Sequence, residues 1–371
     1  MALSKMTQTV PAPALIDAAP IDAAPVDAAP INLALFGAGR WGTHLLRNFL
    51  AHPQIRLRAV VEASEARLSA LAAELDDSVV LLSDWQAAMA LDGLDAVAIA
   101  TPAATHYPLI KTALKQGLHV LAEKPLTLDI ASAQSLCDLA TQQKKQLVVD
   151  HTYLFHSAVA TAKASLPAIG TPRYGYATRT HLGPVRRDVD ALWDLAIHDI
   201  AIFNHWLNAR PTQVQAQGSS WLQPNITTDL SPHGLADMVC CKLQYASGFQ
   251  AHLHLCWANP DKQRRVCIVG DRATLIFDEM NIESPVVQQQ GHLIEKDGWF
   301  MPTQVKREAL TVPPSEPLAN LCNHFVQCVR HNETSTLSSG QTGRELVSVL
   351  IGLSQSMNQG GDWIAMPALY G

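Results

Sequence analysis

The chain has 371 residues, 48% hydrophobic and 16% charged, with a formal net charge of -6 and a pI near 6.2. That balance suits a globular protein with a sizeable core and leaves no basic footprint for nucleic acid. No apolar run reaches the roughly 18 residues of a membrane span, and the first turns of the chain lack a signal peptide's basic start and apolar stretch, so a cytoplasmic protein is expected.

"IDAAPIDAAPVDAAP", residues 16 to 30, repeats a five-residue unit, and its recurring proline denies a helix its backbone hydrogen bonds. Residues 1 to 30 are expected to form a flexible arm. From residue 31 the pattern changes to short β-rich runs at 31–36, 56–61, 79–82, 95–100, 118–122 and 146–150, separated by amphipathic stretches. One of these, "DIASAQSLCDLATQQK", has Asp129 placed to cap its start. The alternation predicts βαβ units: a doubly wound parallel α/β domain of the Rossmann type over residues 31–150.

Beyond residue 150 the runs lengthen, at 213–221, 235–246, 248–257, 263–269 and 272–278, with tight turns such as "YASGFQ". They predict an α+β domain with a mostly antiparallel open sheet over residues 151–371, closed by helices near 317–331 and 341–357. Seven cysteines, an odd count without C-x-x-C spacing, read as reduced core residues.

In "LALFGAGRWGTHLLRNFL", Gly37, Gly39 and Gly42 form G-x-G-x-x-G between an apolar strand and a helix. Gly37 permits the tight turn, Gly39 lets a pyrophosphate approach the backbone, and Gly42 lets helix and strand pack closely. Arg40 and Trp41, inside the motif, are counted with the cofactor loop. Glu62 ends the next strand, 25 residues after Gly37, where an acid accepts hydrogen bonds from the ribose hydroxyls. A carboxylate there repels a 2′-phosphate, and with no arginine before Arg67 the pattern favours NAD over NADP.

"HVLAEKP" places Glu123 and Lys124 at the carboxyl end of the fifth strand, where open α/β sheets bind ligands. An ammonium there can hydrogen-bond a substrate oxygen across from a nicotinamide. "GAGRWG", "ATPAATHYPL", "AEKP", "LWDLAIHDI" and "VGDRATLIFD" together resemble the glucose-fructose oxidoreductase and inositol dehydrogenase superfamily, Gfo/Idh/MocA, from about residue 31 onward. The resemblance implies an NAD(P)-dependent dehydrogenase with a catalytic Lys124 between nicotinamide and substrate, and an antiparallel sheet after the nucleotide domain. It also counts Thr101, Pro102, His106 and Glu123 with the cofactor site, although Ala103 stands where many relatives have asparagine. For His106 the alternative is a packing or capping role.

In "ALWDLAIHDIAIFNHWL" the i,i+4 spacing puts Asp194 and His198 on one helical face, with Asp199 pointing elsewhere. The resemblance implies a catalytic, substrate-binding trio of Lys124, Asp194 and His198. Histidine suits proton exchange near neutral pH, and whether it or the lysine takes the hydroxyl proton stays open. Tyr153 and His156 of "HTYLFH" are candidate lining residues, and Arg186 or Arg187 of "GPVRRD" a candidate anchor for a substrate phosphate or carboxylate. His252, His254 and Cys256 alternate along one strand, but successive ligands about 6 to 7 Å apart stand too far apart for one zinc, so no metal is expected.

These readings predict an enzyme transferring hydride to or from a hydroxyl or keto carbon of a sugar, nucleotide-sugar or cyclitol. The alternatives are a reductase of an imine or tetrapyrrole and a non-catalytic NAD sensor. A small-molecule substrate, no nucleic acid and no membrane are expected, and the resemblance implies a homodimer or homotetramer through the open sheet.

Overall fold

A computed structural model describes residues 29–367; the Ala/Pro-rich arm expected over residues 1–30 lies outside the described residues up to position 28. Six parallel strands form the first sheet: β1 (Ile31–Phe36), β2 (Ile55–Val61), β3 (Val80–Leu82), β4 (Ala96–Ile99), β5 (His119–Glu123) and β6 (Leu147–Asp150). Their order is β3-β2-β1-β4-β5-β6, so strand order reverses between β1 and β4 and opens a crevice at their carboxyl ends. These strands are covered on both faces, which is why they read as unbroken apolar runs; β4 and β5 are buried throughout. Each fully buried Val, Leu or Ile contributes about 1.5–3 kcal/mol. The expected cap is in place: Asp129 accepts the Ser132 N–H at 2.7 Å and starts the helix Ile130–Gln143.

A second, nine-stranded sheet follows: β7 (Pro172–Leu182), β8 (Pro211–Ser219), β9 (Met238–Tyr245), β10 (Gln250–Cys256), β11 (Ala258–Gly270), β12 (Ala273–Asp278), β13 (Val286–Lys296), β14 (Trp299–Ala309) and β15 (Ile364–Ala365). The order is β14-β13-β12-β11-β7-β10-β9-β8-β15, antiparallel except where β7 runs parallel to β10. The turn at "YASGFQ" is present, with Gly248 at φ 87°. One face buries Val239, Cys241, Leu243, Ala251, Leu253 and Leu255. The other is open, presenting Cys240, Lys242 and His252.

The helix Pro317–His331 was expected to close the second domain. Its buried Leu318, Leu321 and Phe325 instead share a core with Leu45 and Phe49 of the helix after β1, and with β1 itself. The helix Gly340–Asn358 packs against both β8 and the helix Ile130–Gln143. The two sheets are therefore clasped by helices from the end of the chain. Among the described residues no helix is long and apolar enough to cross a membrane, and all seven cysteines are free.

Candidate active site

The glycine loop leaves β1 at the crevice. Gly37 takes φ +88°, and a Cβ there would lie 2.7 Å from the Ala100 carbonyl oxygen; one on Gly42 would lie 2.0 Å from that of Gly37. Those two positions exclude side chains. A Cβ on Gly39 meets nothing within 4 Å, so open space lies directly over the loop. The helix Gly42–Ala51 begins without a side-chain cap, leaving an amide-rich, positive helix end facing that space. Glu62, at the end of β2, accepts the N–H groups of Ala38 at 2.9 Å and Ser64 at 3.0 Å. This loop, free helix end and acid fit a dinucleotide.

Arg67, remote in the sequence, folds back beneath the loop. Its Nε donates to Ala38 O at 3.0 Å and its Nη2 to Thr43 Oγ1 at 2.9 Å. Arg40 and Trp41 are exposed at the turn, and the Trp41 indole donates to Asp150 Oδ2 at 2.9 Å. Thr101 lines the turn after β4, its Oγ1 accepting from Thr105 Oγ1 at 2.7 Å, and Pro102 is exposed beside it. His106 is a correction to the sequence reading. It is 1% exposed, with Nδ1 2.8 Å from Pro125 O and Nε2 2.9 Å from Thr101 O. It braces the two strand-end loops against each other and has no surface left for a cofactor.

Glu123 also departs from its expected role. Its carboxyl is buried beside Asp150, its register partner on β6. Burial first, then the Asp150 charge, pushes the Glu123 carboxyl well above its ordinary range, so Glu123 favours its protonated form. The unfolded chain ionises this group near 4.5 while the folded chain keeps it protonated, so this group makes stability fall as pH rises through that window. Glu123→Gln mimics the protonated form and removes that loss. Urea unfolding at pH 5 and pH 8 should show the variant's stability relative to wild type growing by about 1 kcal/mol or more at the higher pH; a difference independent of pH would contradict a raised Glu123 pKa.

Lys124 turns the opposite way from Glu123 and reaches the second domain. Its ammonium donates to Asp194 O at 2.8 Å and to Asp194 Oδ1 at 3.3 Å. Asp194 lies in a single wider π-helical turn, Leu192–Ala196, which leads into the α-helix Ile197–Leu207 carrying His198. The regular α-helix expected across both residues is therefore replaced at Asp194 by this wider turn, and it is the Asp194 backbone carbonyl that meets Lys124. Burial pushes the Asp194 carboxyl up, but Lys124 and Arg186 outweigh it and hold it below the usual carboxylate range. Burial, then the positive charges of Lys124 and Arg179, hold the His198 imidazole well below its ordinary value and so neutral.

The residues around this trio mostly support it. Arg186 Nη1 donates to Asp194 Oδ1 at 3.3 Å, while its Nε and Nη2 engage Asp188; Arg187 is exposed. Tyr153 faces the His198 ring at a centroid distance of 5.0 Å. Its hydroxyl donates to Glu279 at 2.6 Å and accepts from Arg179 at 2.9 Å, so it is committed to holding the histidine. His156 accepts the Ala158 N–H at 3.0 Å and caps its own helix. Asp199 does point away, into a buried pair with Arg179 whose side chains are each 1% exposed. On the open sheet Cys256 is buried, and no cluster of three metal-ligating residues occurs among the described residues.

The nucleotide-binding model of the Gfo/Idh/MocA family, an oxidoreductase family with an NAD-binding Rossmann fold, matches residues 31–151, and the model of its C-terminal domain matches residues 168–276. The chain belongs to the Gfo/Idh/MocA oxidoreductase family. It is 31% identical over 185 residues to UDP-N-acetylglucosamine 3-dehydrogenase of Acidithiobacillus ferrooxidans, a match spanning 50% of this chain and 56% of that relative. It is 28% identical over 318 residues to the NAD-dependent scyllo-inositol 2-dehydrogenase of Bacillus subtilis, spanning 81% of this chain and 86% of that one. A solved structure of the Acidithiobacillus enzyme superposes with a TM-score of 0.75 at 23% identity, covering 90% of this chain and 99% of the other, a likeness of fold.

Within this Gfo/Idh/MocA architecture several site residues carry no sequence signal. His181, at the end of β7, has a buried Nδ1 without a partner among the described residues and feels the charges of Asp194 and Arg40. Asp150, which holds Trp41, reads in sequence as the polar end of a strand, and Arg179, which holds Asp199 and Tyr153, lies in a segment where the sequence shows no strand. Only the fold brings them to the crevice.

Proposed function

We propose that the protein transfers hydride between a nicotinamide dinucleotide and a carbinol carbon of a sugar, nucleotide-sugar or cyclitol, with Lys124, Asp194 and His198 at the reacting oxygen. The observation that carries this reading is the Lys124 ammonium after the end of β5, 3.3 Å from Asp194 Oδ1, whose positive charge, after burial, helps hold the His198 imidazole well below its ordinary value. The activities named for the Acidithiobacillus and Bacillus relatives support the substrate class.

When bound, the nicotinamide supplies a two-electron acceptor or donor of hydride. Lys124, hydrogen-bonded to Asp194, donates a hydrogen bond to the oxygen as negative charge grows there. His198, neutral and with its ring held by Tyr153, accepts the hydroxyl proton in the oxidative direction and returns it in the reductive one. Asp194 keeps the ammonium in place and accepts from a neighbouring hydroxyl. Arg186, already engaged with Asp188 and Asp194, contributes to an anionic substrate group only at the rim.

NAD is the preferred cofactor in this reading. The Glu62 carboxylate beside the glycine loop would repel a 2′-phosphate, and the Arg67 guanidinium is spent on Ala38 O and Thr43. Glu62→Ala is expected to narrow the NAD over NADP preference in kcat/KM by about tenfold, as loss of one charge-assisted contact implies; an unchanged ratio would reject the ribose contact. The open face of the second sheet is the proposed contact in a homodimer or homotetramer.

Absorbance at 340 nm with UDP-N-acetylglucosamine, myo-inositol and a panel of free sugars tests the function. Turnover of at least one of these polyols is the expected result. Tight NAD binding with no absorbance change across the panel would favour a sensor instead.

A further inference from the structure

β6 ends at Asp150, in register with Glu123 of β5, so the next residues, His151 and Lys124, leave neighbouring strand ends side by side. His151 is 2% exposed. Its Nδ1 lies 2.8 Å from Ser338 Oγ, and that hydroxyl donates its single hydrogen to Val149 O at 2.6 Å. A hydroxyl with its proton spent can only accept, so Nδ1 carries the imidazole hydrogen. The tautomer is thereby fixed, and Nε2 presents a bare lone pair.

That lone pair is buried and has no partner among the described residues, a state that burial makes costly. The charge that perturbs this imidazole is Lys124; burial first, then that ammonium, pushes the ring's pKa down to about 3. Lys124 has three N–H donors, and Asp194 takes two of them through its carbonyl and Oδ1. One donor and one buried acceptor thus stand at adjoining strand ends without partners among the described residues.

We propose that His151 is a positioning residue for Lys124: its Nε2 takes an ammonium N–H when a substrate hydroxyl draws the Asp194 carboxylate away. The imidazole then sets where the ammonium stands relative to the reacting oxygen. Ser338 acts one step further out, by keeping the Nε2 lone pair free. This deepens the functional reading above and rests on its placement of Lys124.

The test uses the full chain labelled with 15N-histidine, without ligand, His151 being assigned by comparison with His151→Gln. Asp194→Asn releases the ammonium from its carboxylate, and the His151 Nε2 resonance is expected to move upfield as it gains a cationic donor. In the double variant Lys124→Met with Asp194→Asn it is expected to return. An Nε2 resonance that ignores Asp194→Asn overturns the proposal.

In turnover, His151→Leu should lower kcat by about 10- to 100-fold with the KM for NAD unchanged, the size of effect produced by a misplaced catalytic group. His151→Gln, whose amide oxygen replaces the lost acceptor, should restore most of it. Equal losses in both variants, or none in His151→Leu, would also overturn the role. Absence of turnover in every form, with the NMR shift present, would instead count against the hydride-transfer reading alone.

Discussion

Lys124→Ala is expected to lower kcat by about 10²- to 10⁴-fold while the dissociation constant for NAD changes by less than about threefold, one-third of the tenfold that 1.4 kcal/mol would bring. The separation follows from the architecture. The pyrophosphate and ribose contacts belong to the glycine loop and Glu62, at the ends of β1 and β2, whereas Lys124 leaves β5 and reaches across to Asp194. Arg186 still neutralises Asp194 when the lysine is gone, so the fold and the dinucleotide site persist. Quenching of tryptophan fluorescence, with Trp41 in the loop itself, reports binding independently of turnover. A variant that keeps wild-type kcat would remove the lysine from the chemistry.

Arg179→Met is expected to lower the unfolding free energy by about 3–5 kcal/mol, because it leaves a buried carboxylate without its partner. Arg179 grips Asp199 through Nε, at 3.1 and 3.2 Å, and through Nη2 at 2.6 Å, and its guanidinium lies 4.4 Å from the centre of the Tyr153 ring. Loss of the arginine also removes one of the two bonds that fix the Tyr153 hydroxyl, leaving Glu279 alone, so the wall against the His198 ring loosens and kcat falls with stability. Adding Asp199→Asn removes the unpaired charge and should restore part of the stability without restoring kcat. Urea unfolding with an unchanged m-value is the measurement; a loss below about 1 kcal/mol, the range of a surface pair, would show that the pair is not desolvated as described.

The first domain was legible because each βαβ step carries its own local signal: an apolar strand buried on both faces, a capped helix, a glycine turn. β7 was not. Its inward positions are Gly175, Ala177 and Arg179, so a strand at the centre of the sheet shows no alternation of large apolar residues. The hairpin of β13 and β14 was missed for a different reason: from Gly291 to Met301 it is exposed, with Leu293, Ile294, Trp299 and Phe300 on no consistent side of a polar pattern. Amphipathy placed the helix Pro317–His331 correctly along the chain but could not say that its apolar stripe meets Leu45 and Phe49.

The same limit applies at the site. Lys124 and the Asp194–His198 spacing could be picked out because the motifs are contiguous. Glu123 belongs to its motif yet faces inward, since neighbours in sequence on a strand alternate sides, and His106, first residue of the helix His106–Lys115, is held inward by Pro125 O and Thr101 O. The tautomer of His151 depends on Ser338, 187 positions away, and no pattern near residue 151 encodes it.

A crystal structure of the full chain with NAD and a polyol that it turns over tests the central claim most directly. One carbinol oxygen should lie within hydrogen-bond reach, about 2.6–3.2 Å, of both the Lys124 ammonium and the His198 imidazole, with its carbon facing the nicotinamide ring. A substrate whose reacting carbon meets the nicotinamide away from Lys124, Asp194 and His198 would contradict it.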